Sequence, residues 1–567
     1  SVKGDQQRLR VTPRLAIQPG AGGLDGLRSR LRDPILVLFS MVALILVIAC
    51  ANIASLLLSR ATARRREIAV RLALGAARGS VIRQLLTESI ILSLLGGFLG
   101  VIASLWGMPA LTALLANGDD SFVSRADLDW QVLIFTLVVS IATGVLFGLA
   151  PALHATRVDV FLALKAWRRT GIETWRHRRV LLPGFGQSLV VAQIALSVVL
   201  LVAAGLFARS LSNLRTTDLG FNKEGLLLAD VGAQGARLTG DATRTFWAAL
   251  RARLLGVPGV EDVSMSWSAL AGGGAYVRPV SIPGTTVSEE INVQVIGEGF
   301  FRTMQISILA GRAITDAEVA SRRAVAVVDR RFADAFFPGL NPIGRTIDVG
   351  GEGQLEVVGV STPARHGVVK SDARPVIYYT YTWDPHPLYN LVFELRTLGV
   401  PLSHANAVRA AVRELNPDVR VTALRTQVTN IDRTINPDIV LARLSNAFSV
   451  LALVIACVGL YGTVGYSITR RTQEMGIRMA LGAQRAWLLA LVFRQVLVLA
   501  AAGLLIGVPA ALLASRYIES FLWGVDSHDP ATLASAAALA MAAVGLAGYV
   551  PASRAARIDP TVALRSE

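Results

Sequence analysis

The sequence predicts a polytopic α-helical membrane protein with an α/β extracytoplasmic domain, built from two tandem units, the first shortened at its N-terminus. Three observations predict it: long apolar runs, positive charge confined to alternate loops, and a stretch that occurs twice. Of the 567 residues, 53% are hydrophobic. A roughly 30 Å hydrocarbon core needs about 20 consecutive apolar residues. Seven runs reach that length, at approximately Ile35–Leu58, Leu86–Leu105, Val132–Leu153, Ser188–Phe207, Val440–Tyr466, Leu488–Leu513 and Ala531–Val550.

The formal charge of +16 looks like a nucleic-acid signal until the arginines are located. Arg60, Arg64, Arg65, Arg66, Arg71, Arg78 and Arg83 follow the first run, and Arg157, Lys165, Arg168, Arg169, Arg176, Arg178 and Arg179 follow the third. Arg470, Arg471, Arg478 and Arg485 lie between the fifth and sixth runs, and Arg554, Arg557 and Arg565 in the tail. The intervening loops are acidic, with Asp119, Asp120, Asp127 and Asp129 in one and Glu519, Asp526 and Asp529 in another. This is the bias that places basic loops in the cytoplasm, so no nucleic-acid partner is expected.

The repeat divides the chain. LILVIAC at Leu44–Cys50 and EIAVRLALGA at Glu67–Ala76 return as LALVIAC at Leu451–Cys457 and EMGIRMALGA at Glu474–Ala483. One offset pairs Cys50 with Cys457, Glu67 with Glu474 and Gly75 with Gly482. A slightly shorter one pairs PALHATRVDVFLALK from Pro151 with PASRAARIDPTVALR from Pro551. Blocks repeated in the same order mean a duplicated unit. Residues 1–34 then read as the remnant of a first extracytoplasmic domain, and 35–165 as a first membrane unit of three spans. A basic cytoplasmic linker covers 166–187. The span at 188–208 opens the second unit, an extracytoplasmic α/β domain fills 209–438, and 439–567 holds three more spans and a cytoplasmic tail. The simplest account of the lopsidedness is that the first unit lacks an opening span and its own external domain. Within 209–438, LLLADVGA, EDVSMSW, YNLVFELRT and VRVTAL alternate as strands. Helical segments around Phe246–Leu254 and ANAVRAAVRELN give two βαβ-type units bracketing a middle of short strands.

The repeated EIAVRLALGA and EMGIRMALGA segments each make about two helical turns. Glu67 and Arg71, like Glu474 and Arg478, stand at i and i+4 with the acid first, the favourable order. Gly75 and Gly482 suit a helix C-cap. Such a helix lies at the cytoplasmic surface, and two readings remain open: an anchor in anionic lipid or a docking element for a partner protein. Lipid attraction does not require the same Glu-x-x-x-Arg-x-Ala-Leu-Gly-Ala pattern in both copies, which favours docking. Cys50 and Cys457 sit at equivalent apolar positions and read as packing residues, without the exposed electropositive setting of a reactive thiol. Asn52 and Gln193 are polar groups within spans, read as helix-packing hydrogen bonders, with Gly96, Gly97 and Gly100 as close-packing sites. Trp267, Tyr276, Trp383 and Tyr389 read as outer-domain core, with a ligand surface as the alternative.

RREIAVRLALGA, TQEMGIRMALGA, LNPIGRTI at Leu340–Ile347 and ARIDPTVALR together resemble the macrolide-exporter and FtsX-like ABC transporter permease superfamily. The duplication resembles its acidobacterial duplicated-permease branch, in which one chain supplies both halves of the transmembrane dimer. The resemblance implies two tandem FtsX-like permease units in a bacterial inner membrane, with the large domain in the periplasm. It implies docking of ABC-type ATP-binding subunits at Glu67, Arg71, Gly75, Glu474, Arg478 and Gly482, and mechanical transmission to the outer domain. The copies differ before the acid, Arg64–Arg66 against Thr472 and Gln473, which would suit an asymmetric ATPase pair or one degenerate site.

The sequence has no G-x-x-x-x-G-K-S/T phosphate loop, so ATP is expected on a partner subunit and no cofactor on this chain. The six histidines show no metal-ligand spacing. An ATP-driven permease acting on a drug, peptide or lipoprotein, working with a periplasmic adaptor, is one reading. A non-transport protein of the FtsX type, driving a periplasmic partner such as a cell-wall hydrolase, is the alternative. A membrane enzyme lacks a catalytic constellation.

Overall fold

The computed structural model describes residues 25–63, 70–71, 74, 77–116, 129–156, 185–236, 238–283, 288–370, 374–386, 388–470 and 484–555. Four long helices come first: α1 (Asp25–Ala63), α2 (Arg78–Ala116), α3 (Trp130–Thr156) and α4 (Phe185–Thr216). The outer domain follows with β1 (Leu226–Gly232), α5 (Asp241–Leu255), β2 (Val260–Ser266), β3 (Tyr276–Ser281), β4 (Ser288–Ile296) and β5 (Ile308–Gly311). It continues with β6 (Val325–Asp329), β7 (Thr346–Val349), β8 (Gln354–Ser361), β9 (Val376–Thr380), β10 (Asn390–Thr397), α6 (Ala405–Leu415), β11 (Arg420–Thr426) and α7 (Gln427–Thr434). Short helical turns at Phe300–Met304, Asp316–Ala320 and Arg330–Phe336 lie between strands. The chain returns to long helices in α8 (Asn436–Arg470), α9 (Arg485–Ile518) and α10 (Pro530–Ala555).

Among the described residues, 6 helices are long and apolar enough to cross a membrane. The remaining apolar run falls on α3, where a shorter stretch, Trp130–Leu146, qualifies. That stretch lies within a helix of 27 residues, long enough at about 1.5 Å per residue to span roughly 40 Å. Helix α1 begins at Asp25, so residues 25–34, expected in the outer remnant, open the first helix instead. Leu27 and Leu31 recur at helical spacing, and Pro34 falls inside the helix.

The duplication is visible as packing. An offset of 407 pairs Ser89 with Val496, and one of 400 pairs Gly148 with Gly548 and Thr143 with Ala543. A methyl group added at Gly148 would lie 2.6 Å from Ser89 Oγ, and one at Gly548 would lie 2.8 Å from Val496 Cγ1. The Cys50 side chain lies beside that of Thr143, while Cys457 Sγ donates to the Ala543 carbonyl at 3.6 Å. Equivalent residues therefore make equivalent contacts: α1, α2 and α3 assemble as α8, α9 and α10 do. Helix α4 completes the second unit. Its Ile194 and Ala195 press on Gly503 and Gly507 of α9, where an added methyl would lie 2.6 and 2.9 Å from them. This is the small-residue spacing that lets membrane helices approach closely. The first-unit equivalents, Gly96 and Gly100, have open space at the same position, and of the expected close-packing glycines only Gly97 meets a neighbour, Ser140.

The outer domain is an 11-stranded sheet with two parts. Strands β11-β1-β10-β2 run antiparallel to their neighbours. The two βαβ units are interleaved: β10 lies between β1 and β2, and β1 lies between β10 and β11. This is the split arrangement in which each helix crosses over a strand contributed by the other unit. The middle strands form a closed circuit, β4-β3-β7-β8-β6-β9, with β9 pairing parallel to β4. Closure leaves this circuit without free edges, and Val293, Val327, Ile347, Val357 and Ile377 are buried in it. Trp247 and Phe393 anchor the core of the four-stranded part, with ring centroids 5.9 Å apart. Tyr276 and Trp383 pack against the core, whereas Trp267 is 37% exposed and its ring lies 4.9 Å from that of Tyr276.

One buried acid sits in the four-stranded sheet. Glu394 faces Ser264 across β10 and β2 and accepts from Ser266 Oγ. Its Oε2 has no hydrogen-bond partner among the described residues. Burial pushes its pKa up to about 8, from 4.5. The folded chain thus keeps a proton that the unfolded chain releases first. The stability linked to this group is fully present below about pH 4.5 and is lost as pH rises to about 8. Thermal unfolding of the solubilised chain should show the parent losing ground to Glu394→Gln across that window and no further change above it. Parallel curves would mean that Glu394 is not buried in its neutral form.

Candidate functional site

The site assembles where the outer domain meets the outward ends of the membrane helices. Two chain connections cross it. Helix α4 runs out of the membrane into β1, and β11 runs through α7 into α8. Thr426 caps α7 by accepting from the Thr429 amide, and the Ile435 amide bonds the Ile431 carbonyl at the turn into α8. Because β1 and β11 pair antiparallel and α4 packs along α8, both connections lie side by side.

Polar contacts fasten this junction to the loop between α9 and α10. Arg209 of α4 pairs with Asp529 at 2.5 Å. Hydrogen bonds from Thr532, with Arg209 adding to them, hold the Asp529 carboxyl below its ordinary range. Asn213 Nδ2 donates to the Gly524 carbonyl at 2.8 Å, and Ser210 Oγ accepts from the Trp523 amide at 2.8 Å. From the outer domain, Lys370 Nζ reaches Asp438 of α8 at 2.5 Å and the Phe521 carbonyl at 3.0 Å. The Arg365 guanidinium lies 5.6 Å over the Trp523 ring. The domain is thus tied to α4 and α8 covalently, and to the α9–α10 loop through named side chains.

Beside Arg365 opens a cleft of about 290 Å³, lined by Gly273, Val277, Asn292, Arg365, Val368 and Arg374 among others. The Arg365 guanidinium on its rim is already engaged, donating to the Val369 carbonyl at 2.8 Å and lying over Trp523. Elsewhere, Glu352, Asp384 and His386 hold ligand atoms within 4.8 Å of one another. The Arg278 guanidinium already occupies that cluster, pairing with Glu352, with Asp384 at 3.5 Å and with His386 Nδ1 at 3.0 Å. A fixed cation fills the place a metal would take, so the group reads as a structural ion cluster.

Of the coupling residues expected from sequence, Arg71 is described: it is exposed, and its Nη1 donates to Gln84 Oε1 of α2 at 3.3 Å. Glu67, Gly75, Glu474, Arg478 and Gly482 lie outside the described residues. The Leu74 amide bonds the Val70 carbonyl at 3.0 Å, one helical turn beside Arg71. Val70 is 44% and Leu74 83% exposed, so an apolar pair and a cation face outward together. The junction residues Lys370, Arg209 and Asn213 carried no sequence signal, because their partners lie far along the chain.

Comparison with known proteins follows the same division. The FtsX-like permease C-terminal family matches residues 39–160 and 446–560, and the MacB-like periplasmic core domain matches 188–431. The chain is 29% identical over 267 residues to the macrolide export ATP-binding/permease protein MacB of Azoarcus sp. (strain BH72), covering 46% of this chain and 40% of that protein. It is 27% identical over 301 residues to the protein of the same name from Sodalis glossinidius (strain morsitans), covering 49% and 44%. The chain thus spans less than half the length of these curated relatives. Among solved structures, it is similar to the periplasmic region of MacB from Actinobacillus actinomycetemcomitans, at 16% identity and a TM-score of 0.28, covering 40% of this chain and 97% of that one.

Replacing Lys370 by methionine removes one charge-assisted contact between domain and membrane helices, worth about 1 kcal/mol for a pair in partial contact with water. Hydrogen exchange should quicken roughly fivefold at residues 364–370 and 519–524, with β1 and β10 unchanged. Unchanged exchange in both loops would mean that Lys370 does not fasten the junction.

Proposed function

We propose that this chain, a MacB-like ABC transporter permease with FtsX-like segments on either side of a periplasmic core domain, transmits the strokes of ATP-binding subunits to that domain. Docking takes place at the two cytoplasmic segments carrying Glu67, Arg71 and Gly75 and their repeats Glu474, Arg478 and Gly482. ATP is hydrolysed on the separate subunits, and this chain supplies the lever in a bacterial inner membrane. The work done is export or extraction of an amphipathic compound, peptide or lipoprotein at the periplasmic side.

The observation that carries this reading is the paired connection at the junction. A change of angle between α4 and α8 reaches two hydrogen-bonded neighbours, since α4 leads through residues 217–225 to β1, α8 is reached from β11 through α7, and β1 pairs with β11. The exposed Val70, Arg71 and Leu74 support docking over burial within the bundle.

The test reverses charge on both docking segments. Glu67→Lys with Glu474→Lys costs each short helix only about 0.2–0.5 kcal/mol of pairing, too little to unfold the bundle. The double variant should accumulate normally in membranes while losing ATPase association and any permease-stimulated ATP hydrolysis. A lipid anchor behaves oppositely, since added lysines strengthen attraction to anionic lipid. Normal ATPase association by the folded double variant would sink the proposed contacts.

A further inference from the structure

The two units meet where equivalent residues touch. Helices α1 and α8 are repeat counterparts and pack on each other. Under the 407 offset, Asn52 corresponds to Gly459. A methyl group added at Gly459 would lie 1.7 Å from Asn52 Oδ1. Contact between a residue and its own counterpart marks the pseudo-twofold axis relating the units, since a two-fold brings each patch onto itself. Asn52 Nδ2 donates to the Ile455 carbonyl at 2.5 Å, and Gln193 of α4 donates to Asn52 Oδ1 at 2.8 Å. All of this lies within apolar spans, where a buried polar group needs a partner.

We infer that Asn52, Gly459 and Gln193 form the specificity-determining contact of this seam, one that admits an unlike pair of units only. With asparagine on both sides, the second side chain has no room, because its Cβ would overlap the first amide. With glycine on both sides, the Gln193 amide loses its acceptor inside the membrane and the space filled by Asn52 is left open. Only asparagine against glycine both fits and satisfies the donors. The α4–α8 face of the second unit therefore accepts the first unit's α1 and discriminates against a second copy of itself. A consequence is a fixed handedness for the cytoplasmic face, with the Arg64–Arg66 segment and its Thr472–Gln473 counterpart always on the same sides. The inference concerns assembly of the membrane unit and does not depend on any ATPase.

The test uses the full chain in membranes, with Cys50 and Cys457 replaced by alanine and a protease site inserted in residues 166–187. Ser445 Oγ lies 3.3 Å from Met41 Sδ across the seam, so a short bifunctional thiol reagent bridging Met41→Cys and Ser445→Cys should give a cross-link that holds the halves together after cleavage. Adding Gly459→Asn should lower the cross-linked fraction roughly fivefold, the order expected for losing close packing and intramembrane hydrogen bonds. Exchanging the pair, Asn52→Gly with Gly459→Asn, removes the overlap with Asn52 and leaves a 2.9 Å approach to Gln193 Oε1, the end of a side chain that can swing aside, so it should restore the fraction to within about twofold of the parent, the new amide now facing the Ile48 carbonyl. Should Gly459→Asn not accumulate, recovery of accumulation by the exchange variant reads the same relief. Parental cross-linking by Gly459→Asn, or an exchange variant no better than Gly459→Asn, overturns the assignment.

Discussion

The packing of α4 along α8 is the constraint on which the rest of the molecule depends. Among the described residues these helices are the chain connections between the outer domain and the membrane spans, α4 leading through residues 217–225 to β1 and β11 leading through α7 to α8. Each is held laterally by small-residue contacts: Gly503 and Gly507 receive α4, and Ser197 Oγ reaches the Ala452 carbonyl of α8 at 3.5 Å. Interiors packed this closely move as units and do not deform continuously. The closed strand circuit of the outer domain extends that stiffness away from the bilayer.

Polar contacts differ between the rim of the outer domain and the seam of the membrane units. Ion pairs at the junction sit at the rim, where Arg209 and Lys370 keep partial contact with water and can exchange partners at little cost. Within the spans, the polar contacts at the seam cannot exchange with solvent and hold one geometry. The contacts open to water thus lie at the rim of the outer domain, and the ones shut away from it lie at the seam between the units.

Much of this was legible in the sequence. The spans and the duplication could be read because apolar length and repeated motifs survive as local patterns, and β1, β2, β10 and β11 because their burial alternates or runs continuously. Strand β5 escaped notice because most of its residues are exposed, and α7 because two of the three residues on its buried face, Gln427 and Asn430, are polar and leave Ile431 as the apolar one. The interleaving of the βαβ units depends on pairings between residues far apart in the chain, such as Leu228 with Glu394. Asn52 and Gln193 were visible as polar groups in apolar runs. That they bind each other against Gly459 is a property of three helices and not of any one segment.

The measurement that bears most directly on the lever account is a distance across the junction. Spin labels at Ala410→Cys on α6 and Gln131→Cys at the end of α3, with Cys50 and Cys457 replaced by alanine, report the outer domain against the first unit. In membranes with the ATP-binding subunits that the account requires, it predicts that the distance distribution shifts between the nucleotide-free and ATP-bound states, and that Glu67→Lys with Glu474→Lys abolishes the shift. A distribution that stays the same on ATP binding, in a complex shown to bind ATP, would contradict it.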